Sequence, residues 1–288
     1  MNPTSCTSTR AVTSSLAAHA VAALRRRRVV VQTHGMVQVR TSLTARVFDL
    51  FLRPLLRRAS ACLVLTDQEH SELTTILGHR SPPLIYLPNG VPDGQHLAVP
   101  GRSDPIALFL ARLHPRKRPE AFVRAAAIVR PAVPNASFHV LGPDEGSLVD
   151  VQTAIATHGL QDYVTYLGPV DHTAAVRSIA AADVYVLPSF DEPFGMTILE
   201  ALSVGTPVVC TTSTGISDQL SERGAAAITD GSPEALAQAI IGILTDPPRR
   251  DALVAAGHRA IDEVFSIATV ASMLEDIYSR ARQCAVAD

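Results

Sequence analysis

Residues 184–210 read VYVLPSFDEPFGMTILEALSVGTPVVC, and this stretch decides the fold. An apolar run of strand length, Val184–Leu187, is followed by a loop with two acids. A helix-like stretch at Met196–Val204 and a second apolar run at Pro207–Cys210 come next. Short, continuous apolar strands separated by a helix are typical of a parallel sheet that is covered on both faces.

The same alternation extends outward from this stretch. Further apolar runs lie at Ile106–Leu110, Phe138–Leu141, Val164–Leu167 and Ala225–Ile228, with helix-like stretches between them. Right-handed crossovers make such a series a doubly wound, Rossmann-like domain. Before residue 105 the pattern recurs with fewer repeats. We therefore predict an α/β protein with two Rossmann-like, doubly wound parallel-sheet domains, of which the N-terminal one is incomplete.

Composition excludes several classes of protein. The chain has 288 residues, 47% of them hydrophobic, and a net charge of -2, which indicates a globular protein rather than a disordered one. Its four cysteines show no metal-ligand or disulfide-framework spacing, which is typical of a reducing cytoplasm. No apolar run approaches the roughly 20 residues of a membrane span. We predict a cytoplasmic protein.

Charge is unevenly distributed along the chain. Residues 1–60 contain ten arginines and one acid, Asp49, so this segment carries +9 and the remainder -2 - 9 = -11. A basic segment suits an anionic membrane surface, and Arg40–Arg58 is the candidate for peripheral contact with the inner face of the membrane. A solvated helix face with a charged turn is the alternative. No nucleic-acid partner is expected.

The loop after Val184–Leu187 carries the chemistry. Ligands bind at the carboxyl ends of strands in doubly wound sheets, and free N–H groups at a helix start suit anions and hydroxyls. Gly195 permits close approach of the backbone to a ligand. Glu200, four residues into the helix, can reach a ribose diol, and Glu192 a neighbouring sugar. The alternative is that both are surface acids flanking a helix.

A second candidate element is the basic loop that follows Ile106–Leu110, with Arg112 and Lys117 before a helix at Pro119. A diphosphate needs positive charge, for which Arg offers bidentate donors and Lys a mobile point charge. A solvated basic turn is the alternative. Asp171 fits the N-cap of the helix that follows it, and the lone His34 fits a structural histidine.

These motifs resemble the signature of retaining, nucleotide-sugar-dependent glycosyltransferases of the GT-B fold, family 4 (glycosyl transferases group 1). The resemblance implies that Glu192 lies near the transferred sugar and that Glu200 binds the nucleotide ribose. It implies donor-diphosphate binding by Arg112 and Lys117, where Ala111 replaces the glycine common in the family. The remaining implied contacts are backbone contacts to sugar and phosphate at Phe194, Gly195, Met196 and Thr197, base contacts at Val170 and Asp171, and catalysis by His34 with Glu192.

The implied activity is transfer of a hexose-type sugar, with retention of configuration, from a nucleotide sugar to a glycan, lipid-linked or small-molecule acceptor. The sequence has no D-x-D pair for a metal-bound diphosphate, so we expect neither a metal nor a cofactor. The alternatives are a nucleotide-sugar-binding protein without transfer activity, whether an inactive remnant or a split-enzyme subunit, and a nucleotide-sugar epimerase.

The resemblance also implies a domain plan. We expect a partial N-terminal, acceptor-side domain at residues 1–102, a donor-binding domain at 103–266 and a helix crossing back to the first domain at 267–288. Family members begin with a strand and a Gly-rich loop for which we find no counterpart. Three explanations stay open: a start site placed too far downstream, an inactive remnant, or a partner chain that supplies the missing part.

Overall fold

The computed structural model describes residues 29–33, 53–92 and 104–283. These residues fall into two compact units. The second unit is Gly90–Thr269, and the first unit comprises the described residues up to Asn89 and those from Val270 onward. Each unit contains a parallel sheet with helices, as the apolar runs predict.

The first unit is built on a three-stranded parallel sheet in the order β1-β2-β3. Its strands are β1 (Val30–Gln32), β2 (Ala61–Val64) and β3 (Leu84–Tyr86), and helix α1 (Asp67–Leu77) follows β2. Residues 53–58 are also helical, and Gly78–Arg80 form a 3-10 turn. Strand β2 is buried throughout, which explains its run of small and aliphatic residues.

The second unit is built on a six-stranded parallel sheet in the order β6-β5-β4-β7-β8-β9. The strands are β4 (Ile106–Leu110), β5 (Ser137–Leu141), β6 (Val164–Gly168), β7 (Val184–Leu187), β8 (Val208–Thr211) and β9 (Ala227–Thr229). The helices between and after them are α2 (Pro119–Val129), α3 (Leu148–Thr157), α4 (His172–Ala180), α5 (Met196–Val204), α6 (Ser217–Glu222), α7 (Pro233–Thr245) and α8 (Pro247–Ala260). A π-helical turn, Ile261–Phe265, ends α8.

Helices cover both faces of this sheet. Helix α2 packs against α3 and α7, whereas α5 packs against α4 and α8. The core on the α2 side contains Phe109 of β4, Phe122 of α2 and Phe138 of β5, whose successive ring centroids are 6.0 Å apart. Such tilted and edge-on aromatic contacts stabilise a core beyond the area they bury. This two-faced burial is why the strands read as uninterrupted apolar runs.

The last helix, α9 (Ile267–Gln283), begins in the second unit and belongs to the first unit from Val270 onward. Its Ile277 is buried in a cluster with Leu63 and Leu87, and Val270 and Leu274 pack against that cluster. The apolar positions along α9 thus complete the core of the first unit.

Strand order in the second sheet determines where a ligand can bind. Strand β4 lies between β5 and β7, so the chain runs outward through β5 and β6 on one side and through β7, β8 and β9 on the other. The loops that follow β4 and β7 are therefore neighbours at the carboxyl edge, at a topological switch point. Ligands of doubly wound sheets bind at such a point.

Candidate functional site

The basic loop after β4 has a fixed backbone path. Its residues Pro115–Lys117 form a 3-10 turn, at the start of which the Arg116 N–H donates to Nδ1 of His114 at 3.1 Å. Arg118 adopts a left-handed conformation, with φ of 54°, and helix α2 begins at the following residue. The short turn places Lys117 at the entrance of α2, toward the loop that follows β7.

Lys117 and Glu192 form a direct ion pair between Nζ and Oε2. Both side chains are largely buried, with 13% and 10% of their surface exposed. The backbone of Glu192 is held on both sides by the loop after β8, because its N–H donates to Ser213 O at 3.0 Å and its carbonyl accepts from Gly215 N–H at 2.8 Å. A cation and an anion predicted from separate motifs therefore meet at one place.

The start of helix α5 is shaped by Gly195. Its φ of 85° lies in the left-handed region, and a Cβ there would stand 2.9 Å from Cδ1 of Ile198. No side chain caps this helix N-terminus. The N–H groups of its first turn, among them those of Met196 and Thr197, are therefore suited to an anionic or hydroxyl-bearing ligand. Phe194, just before the turn, is buried against Phe265 with centroids 6.4 Å apart.

Glu200 is the second acid of the motif and lies one turn further along α5. Its Oε1 is 3.9 Å from Nδ1 of His172, the first residue of α4. Burial raises the pKa of the Glu200 carboxyl, and the neighbouring imidazole of His172 acts in the opposite direction. A half-buried carboxylate of this kind accepts hydrogen bonds strongly when it is ionised.

Asp171 acts as the N-cap of helix α4. Its Oδ1 accepts a hydrogen bond from Ala174 N–H at 2.8 Å, and the side chains of Val170 and Asp171 are exposed. The capping role of Asp171 is thus observed, whereas contact of these two residues with a base remains a prediction.

Glu145 is a charged residue of this edge that the sequence analysis missed. It follows β5, and its two carboxylate oxygens accept from Nη1 of Arg112 at 3.1 and 2.8 Å. Its backbone N–H also donates to Leu113 O at 3.1 Å, which ties the loops after β4 and β5 together. The signal for it was available, because Glu145 lies just after a predicted strand and therefore at the same edge as Arg112.

His34 lies outside the described residues, and so does the part of Arg40–Arg58 before residue 53. Thr33, which precedes His34, is buried and donates to the buried carboxylate of Glu69. Within the described part of the basic segment, Arg57 donates to Leu77 O through Nε and Nη2 at 3.2 and 2.8 Å.

Among the described residues, no helix is both long and apolar enough to cross a membrane. Within the same ranges, no group of three His, Cys, Asp or Glu residues is arranged to hold a metal ion.

Comparisons with known families match both parts of the chain. The model of "Glycosyl transferases group 1" matches residues 99–260, and that of "Glycosyl transferase 4-like domain" matches residues 7–90. D-inositol 3-phosphate glycosyltransferase 2 of Catenulispora acidiphila is 29% identical over 244 residues, and the D-inositol 3-phosphate glycosyltransferase of Kineococcus radiotolerans is 30% identical over 249. The alignments cover 77% and 76% of this chain, which spans 56% of the length of each relative.

Solved structures share the fold. Sucrose-phosphate synthase from Thermosynechococcus elongatus superposes with a TM-score of 0.73 at 24% identity, covering 92% of this chain and 70% of that one. HepE of Anabaena in complex with UDP superposes with a TM-score of 0.77 at 19% identity, covering 95% of this chain and 77% of that one. These structural neighbours are GT-B glycosyltransferases, so the predicted GT-B fold is confirmed.

Proposed function

The chain belongs to the group 1 glycosyl transferases, and from this premise we propose that it transfers a sugar from a nucleotide-sugar donor to an acceptor. The supporting observation is the meeting of Lys117 with Glu192 at the switch point of the second sheet, beside the uncapped start of α5. The neighbouring Arg112 and the free helix N–H groups suit a diphosphate, and the fixed carboxylate of Glu192 suits the hydroxyls of a sugar joined to it.

We assign the donor diphosphate to Arg112, Lys117 and the first turn of α5, with backbone contacts from Phe194 to Thr197. Glu192 orients the transferred sugar, and Glu200 accepts hydrogen bonds from the ribose hydroxyls. Val170 and Asp171 lie beside the base. His34 lies outside the described residues, and its assignment to catalysis rests on the family resemblance alone. The donor is the substrate, and the proposal requires no metal and no further cofactor.

The proposed reaction is hexosyl transfer with retention of configuration. Fixed donors around the diphosphate stabilise the charge that develops as the sugar–phosphate bond breaks. The departing phosphate can accept the acceptor's proton on the same face of the sugar, so a separate catalytic base is not required. Glu192 is unsuited to act as a nucleophile while its carboxylate is paired with the Lys117 ammonium.

The test is a binding and turnover screen with UDP-, GDP- and ADP-sugars. We expect Glu200→Ala to weaken nucleotide binding about ten-fold or more, because a ribose loses a charge-assisted hydrogen-bond acceptor. Glu192→Ala is expected mainly to impair turnover. Glu222→Ala is the matched control. Glu222 ends α6 and precedes β9, so it lies at the amino ends of the strands, away from the candidate site.

Unchanged donor affinity in Glu200→Ala would exclude the ribose role. Donor binding without transfer to any acceptor would favour the alternative function, that of a binding protein or a split-enzyme subunit. Conversion of the donor without an acceptor would instead indicate an epimerase.

For location, we propose the cytoplasm, with peripheral membrane contact through Arg40–Arg58. The arginine content of this segment supports that contact. Liposome co-sedimentation that persists at high salt, or that does not depend on anionic lipid, would count against an electrostatic contact.

A further inference from the structure

Tyr185 is a fully buried residue of β7 whose hydroxyl has two hydrogen-bond partners. Its Oη lies 3.0 Å from the carbonyl oxygen of Leu110 and 2.6 Å from Oγ1 of Thr197. Burial raises the pKa of Tyr185 far above its ordinary value, so the hydroxyl keeps its proton. The core itself requires only an apolar side chain at this position, because a phenylalanine would fill the same volume without a polar atom.

The Tyr185 hydroxyl is the donor in both contacts. It donates to the carbonyl oxygen of Leu110 and to Oγ1 of Thr197, and it shares its one proton between these two acceptors. One buried side chain therefore holds both acceptors.

The hydroxyl joins the two elements from which the proposed donor contacts come. Leu110 ends β4 and stands two residues before Arg112, whereas Thr197 lies in the first turn of α5. We propose that Tyr185 is a positioning residue that fixes the first turn of α5 relative to the loop with Arg112. The inference rests on the proposed function, in which the diphosphate is contacted from both sides.

Removal of the hydroxyl tests the positioning role. In Tyr185→Phe the Leu110 carbonyl and the Thr197 hydroxyl lose a buried partner, and the first turn of α5 can shift. Ligand binding must then return the first turn of α5 to its place, which weakens the binding. We expect the dissociation constant for UDP to rise about three- to ten-fold, and GDP and ADP are measured in parallel. Thr197→Val is expected to have a similar effect, and Thr197→Ser, which keeps the hydroxyl, to restore binding.

The double variant Tyr185→Phe/Thr197→Val separates positioning from general damage. If the two residues act as one unit, the double variant binds no more weakly than the weaker single variant. Tyr163→Phe is the matched control: it too removes a tyrosine hydroxyl, which accepts from Arg130 Nη2 at 2.8 Å, but Tyr163 precedes β6 at the opposite edge. Its affinity for the nucleotides should equal that of the wild type.

Hydrogen exchange of the backbone amides tests the positioning role without any ligand, and therefore independently of the proposed function. Without ligand, Tyr185→Phe should accelerate exchange of the Ile198 amide, which donates to Gly195 O in the first turn of α5, and Tyr163→Phe should not. Wild-type protein that binds none of the three nucleotides would refute the proposed function and leave this exchange result to decide the positioning role. Unchanged exchange at Ile198, or equal nucleotide affinity in Tyr185→Phe and wild type, would overturn the inference.

Discussion

The Lys117–Glu192 pair gives a prediction whose size follows from burial. Removal of one partner from a buried ion pair costs about 3–5 kcal/mol, because the remaining charge is left without water or a counter-ion. The two side chains keep 13% and 10% of their surface exposed, which moderates the cost. How much of this free-energy cost remains in each single variant depends on whether the charged side chain that is left can reach water.

The two single variants should therefore differ. Glu192 cannot move away, since its N–H and carbonyl are both bonded to the loop after β8, at Ser213 and Gly215. The flexible stem of Lys117 can instead carry its ammonium toward water. We expect Lys117→Met to lower the free energy of unfolding by about 2–3 kcal/mol and Glu192→Gln by about 1–2 kcal/mol.

Urea unfolding of the full chain, with the transition of the second unit fitted separately, measures these values. In the double variant Lys117→Met/Glu192→Gln neither charge remains, so its stability should exceed that of Lys117→Met, with a coupling free energy of about 1.5–3 kcal/mol. The control is the Arg112–Glu145 pair, whose side chains are 56% and 36% exposed, and for which the coupling should be about 0–1 kcal/mol and fall with added salt. Equal coupling in the two pairs would refute the argument from burial.

Two further predictions concern helix α5. Gly195→Ala should lower the free energy of unfolding by about 2 kcal/mol, because φ is positive there and the added Cβ would meet Ile198. Gly224→Ala is the control in the same urea assay. Its φ is 63° and nothing lies within 4 Å of the added Cβ, so it should cost only about 1 kcal/mol. Folding raises the pKa of Glu200 above its ordinary value of about 4.5. Above that pH the unfolded chain therefore binds fewer protons than the folded chain, and the free energy of unfolding falls as pH rises. Glu200→Gln should therefore be more stable than the wild type at pH 7, and the difference in stability should narrow toward pH 4. A difference that stays constant between pH 7 and pH 4 would contradict a raised pKa of Glu200.

The α/β architecture was predictable because the strands of the second sheet are buried on both faces. Val184–Leu187 and Ile106–Leu110 were predicted with their observed bounds, since all their side chains are aliphatic or aromatic. Helix α8 was missed for the opposite reason. Its sequence has little apolar periodicity, and its buried residues are the small Ala256, Gly257 and Ala260. Close packing of small residues leaves no hydrophobic stripe from which a helix can be recognised.

The placement of the candidate site residues at the carboxyl edge was likewise predictable from the strand–loop–helix order. Their pairing was not, because it depends on strand order. Lys117 and Glu192 are 75 residues apart and meet only because β4 lies beside β7. Glu145 reaches Arg112 because β5 is the other neighbour of β4. A motif identifies the residue type and the edge, whereas the order of strands in the sheet decides which charges become partners.

Residue chemistry alone suggests that Arg112 is the fixed, bidentate cation and Lys117 the mobile one, but their surroundings indicate the reverse. Lys117 is largely buried and held by Glu192, whereas Arg112 is mostly exposed and held only by an ion pair on the surface. Exposed pairs contribute about 0–1 kcal/mol, so a diphosphate can take Arg112 from Glu145 at little cost. The charge of Lys117 is already balanced by Glu192. Net attraction for an anion must therefore come chiefly from Arg112 and from the uncapped first turn of α5, whose position relative to Arg112 depends on the hydroxyl of Tyr185.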